Sequence, residues 1–314
     1  MIVFVQVPCL NEAATLPVVL AGIPRTIDGV DRVEVLVIDD GSDDATAEIA
    51  WQHGADHVLR HTRRQGLARS FRDGVDYALA HGADIVVNTD GDNQYPQNRI
   101  PDLVAPIVRG EADIVIGDRQ TRLIGHFSPW KKFLQRLGSR IVNLAAGTRL
   151  PDAASGFRAY SRHSLTRLNL ITEFSYAMET IVQAGHKRLH IASVPIETNP
   201  KERESRLFRN IGQHVFESAK AILRSYLMFR PLAFFLPIAV IMFALAAIPY
   251  VRYVVLLATG ASGDHIQSLI LGTALLVGGL LAVALAVIAE LMRINRVMTE
   301  DLLERIKGLS RDTA

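Results

Sequence analysis

Two stretches of this chain carry no charge at all: 21 residues from Pro231 to Val251 and 24 from Ile266 to Ala289. A helix rises about 1.5 Å per residue, so either run reaches across a hydrocarbon core of about 30 Å. No water waits there to satisfy backbone groups, so such a run must be helical. Both are apolar on every side, unlike the striped helix of a soluble domain. They predict spans over 231–257 and 266–292, joined by the short polar loop Thr259–His265, with kinks at Pro237 and Pro249. Basic residues flank the pair: Lys220, Arg224 and Arg230 before it, Arg293, Arg296, Arg305 and Lys307 after it, and neither Lys nor Arg in the loop. The positive-inside bias then predicts a two-span membrane protein with residues 1–230 and the tail 293–314 on the cytoplasmic side. Gly272, Gly278 and Gly279 in the second span would allow close helix contact, including between subunits of a homo-oligomer.

Ahead of the hairpin, Ile211, Val215, Ala219, Ile222, Tyr226 and Phe229 recur at helical spacing, with Lys220 and Arg224 off the stripe. Residues 209–230 therefore read as an amphipathic helix on the bilayer surface. The segment 130–142 fits either a second surface helix or a helix packed on the domain.

Residues 1–208 have a different texture. Short β-branched runs at Val3–Val7, Val33–Ile38, His57–Leu59, Ile85–Val87 and Ile114–Ile116 alternate with helical patterns over 12–21, 43–53, 67–80 and 101–108. Met1–Pro8 reads as a first strand rather than a leader. The alternation predicts an α/β domain with a mostly parallel sheet covered by helices, in which ligands bind beyond the carboxyl ends of the strands. The acids gather there: Asn11-Glu12 after the first run, Asp39-Asp40-Gly41-Ser42 after the second, Asp90-Gly91-Asp92 after the fourth and Asp118-Arg119 after the fifth. Like charges on one rim are unfavourable unless a cation joins them. A hard divalent ion with oxygen ligands, sharing its shell with a diphosphate, is the simplest remedy. Gly91 is expected to turn the backbone so that Asp90 and Asp92 face one ion, with Gln94 adding a neutral oxygen. No Gly-x-Gly-x-x-Gly follows the first strand and no P-loop is present, which argues against a dinucleotide or P-loop site. With Lys+Arg 34 against Asp+Glu 32 there is no charge excess for nucleic acid, and the lone Cys9 allows no disulfide within the chain.

Pro8-x-x-Asn11-Glu12, Asp39-Asp40-Gly41-Ser42-x-Asp44-x-Thr46 and Asp90-Gly91-Asp92 resemble the nucleotide-sugar motifs of family-2 glycosyltransferases with the GT-A fold. Asp90–Pro96 and Asp152–Arg158 resemble blocks of dolichol-phosphate mannose synthase and its bacterial polyprenyl-phosphate relatives. The resemblance implies an inverting transfer of one hexose from a GDP- or UDP-sugar to a membrane polyprenyl phosphate, with Mg²⁺ or Mn²⁺. It implies a donor pocket of Pro8, Asn11, Glu12, Asp39, Asp40, Gly41, Asp90 and Gly91, and a metal held by Asp90, Asp92 and Gln94. Arg119, Ser155, Arg158, Ser205 and Arg206 would meet the lipid phosphate, and Asp92, Asp152, Arg119 and Arg158 would carry the chemistry. Asp152 would orient the acceptor or accept a proton, or else serve as a turn cap. Two departures stand out. The relatives' Gly-x-Ser-Lys is here Glu204-Ser205-Arg206 without the glycine, and the Gln-x-x-Arg-Trp of processive synthases is missing, which argues for a single transfer. A different lipid or glycan acceptor, or an inactive sugar-nucleotide-binding scaffold, are the alternatives.

Overall fold

The computed structural model describes residues 1–120, 129–168, 176–200, 220, 223, 224, 226–260 and 266–309. The chain forms two compact units, Met1–Ile222 and Leu223–Ala314.

In the first unit the strands are β1 (Ile2–Cys9), β2 (Arg32–Asp39), β3 (His57–Arg60), β4 (Ile85–Asn88), β5 (Ile114–Asp118), β6 (Arg158–Ser161) and β7 (Ile191–Pro195). The helices are α1 (Leu16–Gly22), α2 (Thr46–Gln52), α3 (Leu67–Ala80), α4 (Ile100–Val108), α5 (Pro129–Ala146), α6 (Arg162–Arg167) and α7 (Tyr176–His186). The strands form one sheet in the order β3-β2-β1-β4-β6-β5-β7. All pairs are parallel except those of β6, which runs antiparallel between β4 and β5. Val3, Val5, Val7, Val35, Val37, Ile85, Val87 and Val115 are buried, as strands covered on both faces require.

The expected strands are present and run one to three residues longer. Helices α1 and α2 start three to four residues later than the pattern suggests. Their leading residues are committed to turns instead: Glu12 O accepts from Thr15 N and Leu16 N, and Asp44 Oδ1 accepts from Thr46 N at 3.1 Å. Strands β6 and β7 carry no alternation of their own; pairing with neighbours makes them strands.

The antiparallel strand positions the site. Arg158 is in register with Asn88 of β4 and Ile116 of β5, whose chains run the other way. The residues leading into β6, 152–157, therefore arrive at the same rim where β4 and β5 end.

The second unit contains α8 (Pro231–Ala258) and α9 (Ile266–Leu309). Both are long and apolar enough to cross a membrane, α9 over Ile266–Thr299, and most of each is exposed, unlike core helices of a soluble protein. Helix α9 continues well past 292. The glycines of α9 serve contact inside the chain: a Cβ would lie 3.1 Å from Tyr250 at Gly272, 2.2 Å from Met242 at Gly278 and 2.6 Å from Phe243 at Gly279. Tyr250 and Thr273 bridge the two helices by a hydroxyl bond of 2.9 Å. Most of the predicted surface helix 209–230 and part of the connecting loop lie outside the described residues. So do Ser205 and Arg206.

Candidate active site

The ends of β1 and β2 are paired, Cys9 opposite Asp39, and Asp40 N continues the ladder to Cys9 O at 2.9 Å. Asn11, at φ 56, turns the chain across this end. Its amide donates to Ser42 Oγ at 2.8 Å, and its side-chain oxygen accepts from Asp43 N at 2.8 Å. Glu12 N donates to Thr46 Oγ1 at 2.9 Å. Two strand-end loops are thereby stitched into one wall.

Asp39 is fully buried. Its Oδ1 accepts from Ser42 N at 2.9 Å, while Oδ2 has no hydrogen-bond partner among the described residues. Arg60 Nε approaches that oxygen to 3.2 Å, an ion pair without hydrogen-bond alignment. Arg60, His61 and Thr62 line an open cleft of about 430 Å³ with Gly41, Ser42 and Asp43.

Asp40, expected to meet the donor, instead binds its own chain. It accepts from His61 Nδ1, Gln65 N and Gly66 N, each at 2.8 Å. This carboxylate latches the 61–66 loop across Gly41, where a Cβ would stand 2.7 Å from the Arg63 carbonyl carbon. Gly41 also has φ 73, so two constraints demand glycine there.

At the end of β4, Asp90 and Asp92 are close enough to act on one another. Burial first, then Asp92, push the Asp90 carboxyl up to about 7; Arg119 opposes this and Glu12 adds to it. Gly91 is not the turning residue expected of it. The left-handed position is Asn93, at φ 58. Gly91 is needed for space: a Cβ would lie 2.7 Å from Cys9 Sγ and 3.3 Å from Glu12 Cγ. Gln94 turns its amide nitrogen to Asp92 Oδ2 at 2.6 Å, so its role here is to hold that carboxylate.

Two carboxylates of hard oxygen donors suit Mg²⁺ or Mn²⁺, which take one or two protein carboxylates and complete their shell with water and substrate phosphate. Among the described residues no third acidic, histidine or cysteine ligand joins them. That donor set fits an ion that arrives with a diphosphate rather than one held by protein alone.

Arg119, one-fifth exposed, is clamped bidentately by buried Asp152, with Nε–Oδ2 2.7 Å and Nη2–Oδ1 2.9 Å. Burial would raise the Asp152 carboxyl, but the Arg119 bonds and charge outweigh it and hold it below its ordinary value. A carboxylate so held is a poor proton acceptor and a good orienting group for Arg119.

Arg158 is not at the cavity. It is fully buried, and its guanidinium donates to Ser155 O, Ala177 O, Thr180 Oγ1 and Ala153 O at 2.6–2.9 Å. The expectation that it meets a phosphate is corrected: all three guanidinium nitrogens are engaged, tying the 153–158 turn to α7. Ser155 is buried as well, its Oγ without a hydrogen-bond partner among the described residues.

Sequence reasoning passed over the polar web behind Asp90. Gln6 Nε2 donates to Asn88 Oδ1 at 3.0 Å, and Asn88 Nδ2 donates to Gly156 O and to Tyr176 Oη, both at 3.0 Å. Gly156 N donates to Tyr95 Oη at 2.9 Å. A Cβ on Gly156 would stand 3.5 Å from Asp90 Oδ2. Polar residues inside otherwise apolar strands, Gln6 and Asn88, were the signal.

The model of Glycosyl transferase family 2 matches residues 4–168. The chain is 31% identical over 201 residues to the undecaprenyl-phosphate mannosyltransferase of Micrococcus luteus, covering 60% of this chain and 80% of that protein. It is 30% identical to the dolichyl-phosphate hexose transferase of Haloferax volcanii, covering 63% and 82%, and 26% identical to the polyprenol monophosphomannose synthase of Mycolicibacterium smegmatis, covering 68% and 83%. Among solved structures it is similar to the glucosyl-3-phosphoglycerate synthase of Mycobacterium tuberculosis in complex with Mn²⁺, UDP and glucosyl-3-phosphoglycerate. There the TM-score is 0.55 at 25% identity, covering 72% of this chain and 78% of that one.

Proposed function

The chain belongs to glycosyltransferase family 2, with a GT-A-like mixed sheet, and from that premise we propose that it transfers one hexose from a nucleotide sugar to a membrane polyprenyl phosphate. The observation that carries the reading is the shared rim. Asp90 and Asp92 at the end of β4 lie within the field of Arg119 from the end of β5, and Asp152, ahead of the antiparallel β6, clamps that arginine. Anionic groups for a cation and a cationic group for an anion thus share one site. The relatives named for undecaprenyl, dolichyl and polyprenol phosphates support a lipid-phosphate acceptor, and two spans would keep such an enzyme where that lipid resides.

The cleft beside Asp39 takes the nucleoside of the donor. Its buried Oδ2 faces the Arg60 charge at 3.2 Å without a hydrogen bond among the described residues, and a ribose hydroxyl or a base N–H would supply one. The M. tuberculosis synthase bound to UDP and Mn²⁺ supports a nucleoside diphosphate and a divalent ion here. Asp90 and Asp92 would hold that ion, whose charge would offset that of a diphosphate leaving group. An oxygen of the acceptor phosphate attacks the anomeric carbon as the bond to the diphosphate breaks. The nucleoside diphosphate leaves with that electron pair, and the anomeric centre inverts. The attacking phosphate is already anionic, so no strong base is required; alignment and charge stabilisation do the work. Arg119, aimed by Asp152, orients the acceptor phosphate through its planar fork.

Membranes containing the chain, incubated with labelled UDP- or GDP-hexoses and Mg²⁺ or Mn²⁺, should produce a labelled, solvent-extractable polyprenyl-phosphate sugar. A label that appears only in diacylglycerol lipids, in glycan or in added 3-phosphoglycerate would overturn the acceptor assignment.

A further inference from the structure

The loop that carries the paired carboxylates is held at its start by Thr15, whose hydroxyl donates to Gly91 O at 2.7 Å, and along its far side by Asn199. Asn199 lies just after β7, more than a hundred residues along the chain from that loop. Its backbone N–H donates to Gln94 O at 3.0 Å. Its side-chain Nδ2 donates to Asn93 O at 2.9 Å and to Tyr95 O at 3.3 Å. Three consecutive carbonyls of the loop therefore point at a single asparagine. The first of them belongs to Asn93, in the left-handed region at φ 58, a conformation that costs energy away from glycine and persists only where neighbours hold it. The same turn delivers Gln94 N to Asp92 Oδ1 at 3.2 Å and the Gln94 amide to Asp92 Oδ2. Hence the orientation of Asp92 depends on the 93–95 backbone, and that backbone depends on Asn199.

On the metal reading above, we propose that Asn199 is a positioning residue for the divalent-cation site: it touches neither ion nor sugar and acts by holding the loop that aims Asp92. Only a side chain with two geminal N–H donors on a short arm bridges the Asn93 and Tyr95 carbonyls, which is why asparagine suits the position. Losing those bonds frees the loop to relax, and a site assembled from two carboxylates has no third protein ligand to keep its geometry.

The test titrates Mn²⁺ into the detergent-solubilised full chain with UDP, and separately with GDP, reading free Mn²⁺ by electron paramagnetic resonance. Asn199→Ala should weaken Mn²⁺ binding about tenfold, the scale of one to two lost hydrogen bonds. Transfer rates should then recover to within about twofold of wild type when Mn²⁺ is raised to saturation. Unchanged Mn²⁺ affinity in N199A overturns the proposal, as does a rate that saturating Mn²⁺ fails to restore, since that marks general damage. Should N199A be recovered unfolded, Asn199→Asp decides: it keeps the shape and the backbone bond but removes both amide donors, and wild-type Mn²⁺ affinity there overturns the proposal. Absence of Mn²⁺ binding by the wild-type chain with either nucleotide would instead sink the metal reading itself.

Discussion

Replacing Arg158 by Met should damage stability and leave acceptor recognition alone. The side chain is fully buried and makes four donations of 2.6–2.9 Å. Their loss is not uniform. Thr180 Oγ1 still donates to Ala177 O at 3.1 Å, so those two groups keep one another. The carbonyls of Ala153 and Ser155 are stripped, with no other donor among the described residues. A buried acceptor left unsatisfied costs about 1–3 kcal/mol, so the pair costs about 4 kcal/mol, in the range reserved for broken buried networks. For a domain of this size roughly 2–4 °C of melting temperature goes with each kcal/mol, so Tm should fall by about 10 °C. Near-UV circular dichroism of the detergent-solubilised chain reads the first quantity, and initial rates below the new Tm read KM for polyprenyl phosphate, expected within about twofold of wild type. A Tm within about 2 °C of wild type together with a KM raised tenfold would refute the brace and return Arg158 to the phosphate.

Asp92→Ala should abolish Mn²⁺-dependent transfer while the chain still fractionates with membranes and resists carbonate extraction; retained turnover would remove the metal assignment. Gly91→Ala should reduce activity at least tenfold because its Cβ lands 2.7 Å from Cys9 Sγ, and adding Cys9→Ala should restore much of it, a coupling that a double-mutant cycle reads directly. The Asp152 carboxyl is held below its ordinary 3.8 by Arg119, so its contribution to stability is present in full above that value and is lost as pH falls through its folded pKa. The stability gap between wild type and Asp152→Asn should therefore be constant near neutrality and shrink below about pH 4 in urea titrations; a gap that grows on acidification would reverse the sign.

Much of the architecture is local, and local features are legible in a single sequence. Hydrophobic runs bounded by turn residues specify the first five strands, because a strand buried on both faces must be apolar throughout. Two uncharged stretches longer than 20 residues announce α8 and α9, because only a helix hides its own backbone in lipid. The placement of Asp39, Asp90 and Asp92 on one rim was legible by the same logic: Asp39 closes β2 and the other two follow β4.

Tertiary structure alone decided which polar groups face the cavity and which are consumed by the fold. Arg158, Asp40 and Arg119 all lie in acid-bearing motif segments and look alike on paper. Arg158 became a buried brace, Asp40 a loop latch, and Arg119 a clamped, partly exposed cation. The difference lies in which carbonyls and amides reach each side chain, and those belong to residues up to tens of positions away. Gly91 teaches the same point: its role is set by Cys9 Sγ across the sheet end, not by its own backbone. Strand β6 is the clearest case, since four residues with no pattern of their own reverse direction between β4 and β5 and so bring Asp152 to the rim where those strands end. Periodicity reports what a residue does to its neighbours three or four positions away. Hydrogen-bond satisfaction of buried groups is settled by whichever segment the chain has folded against them.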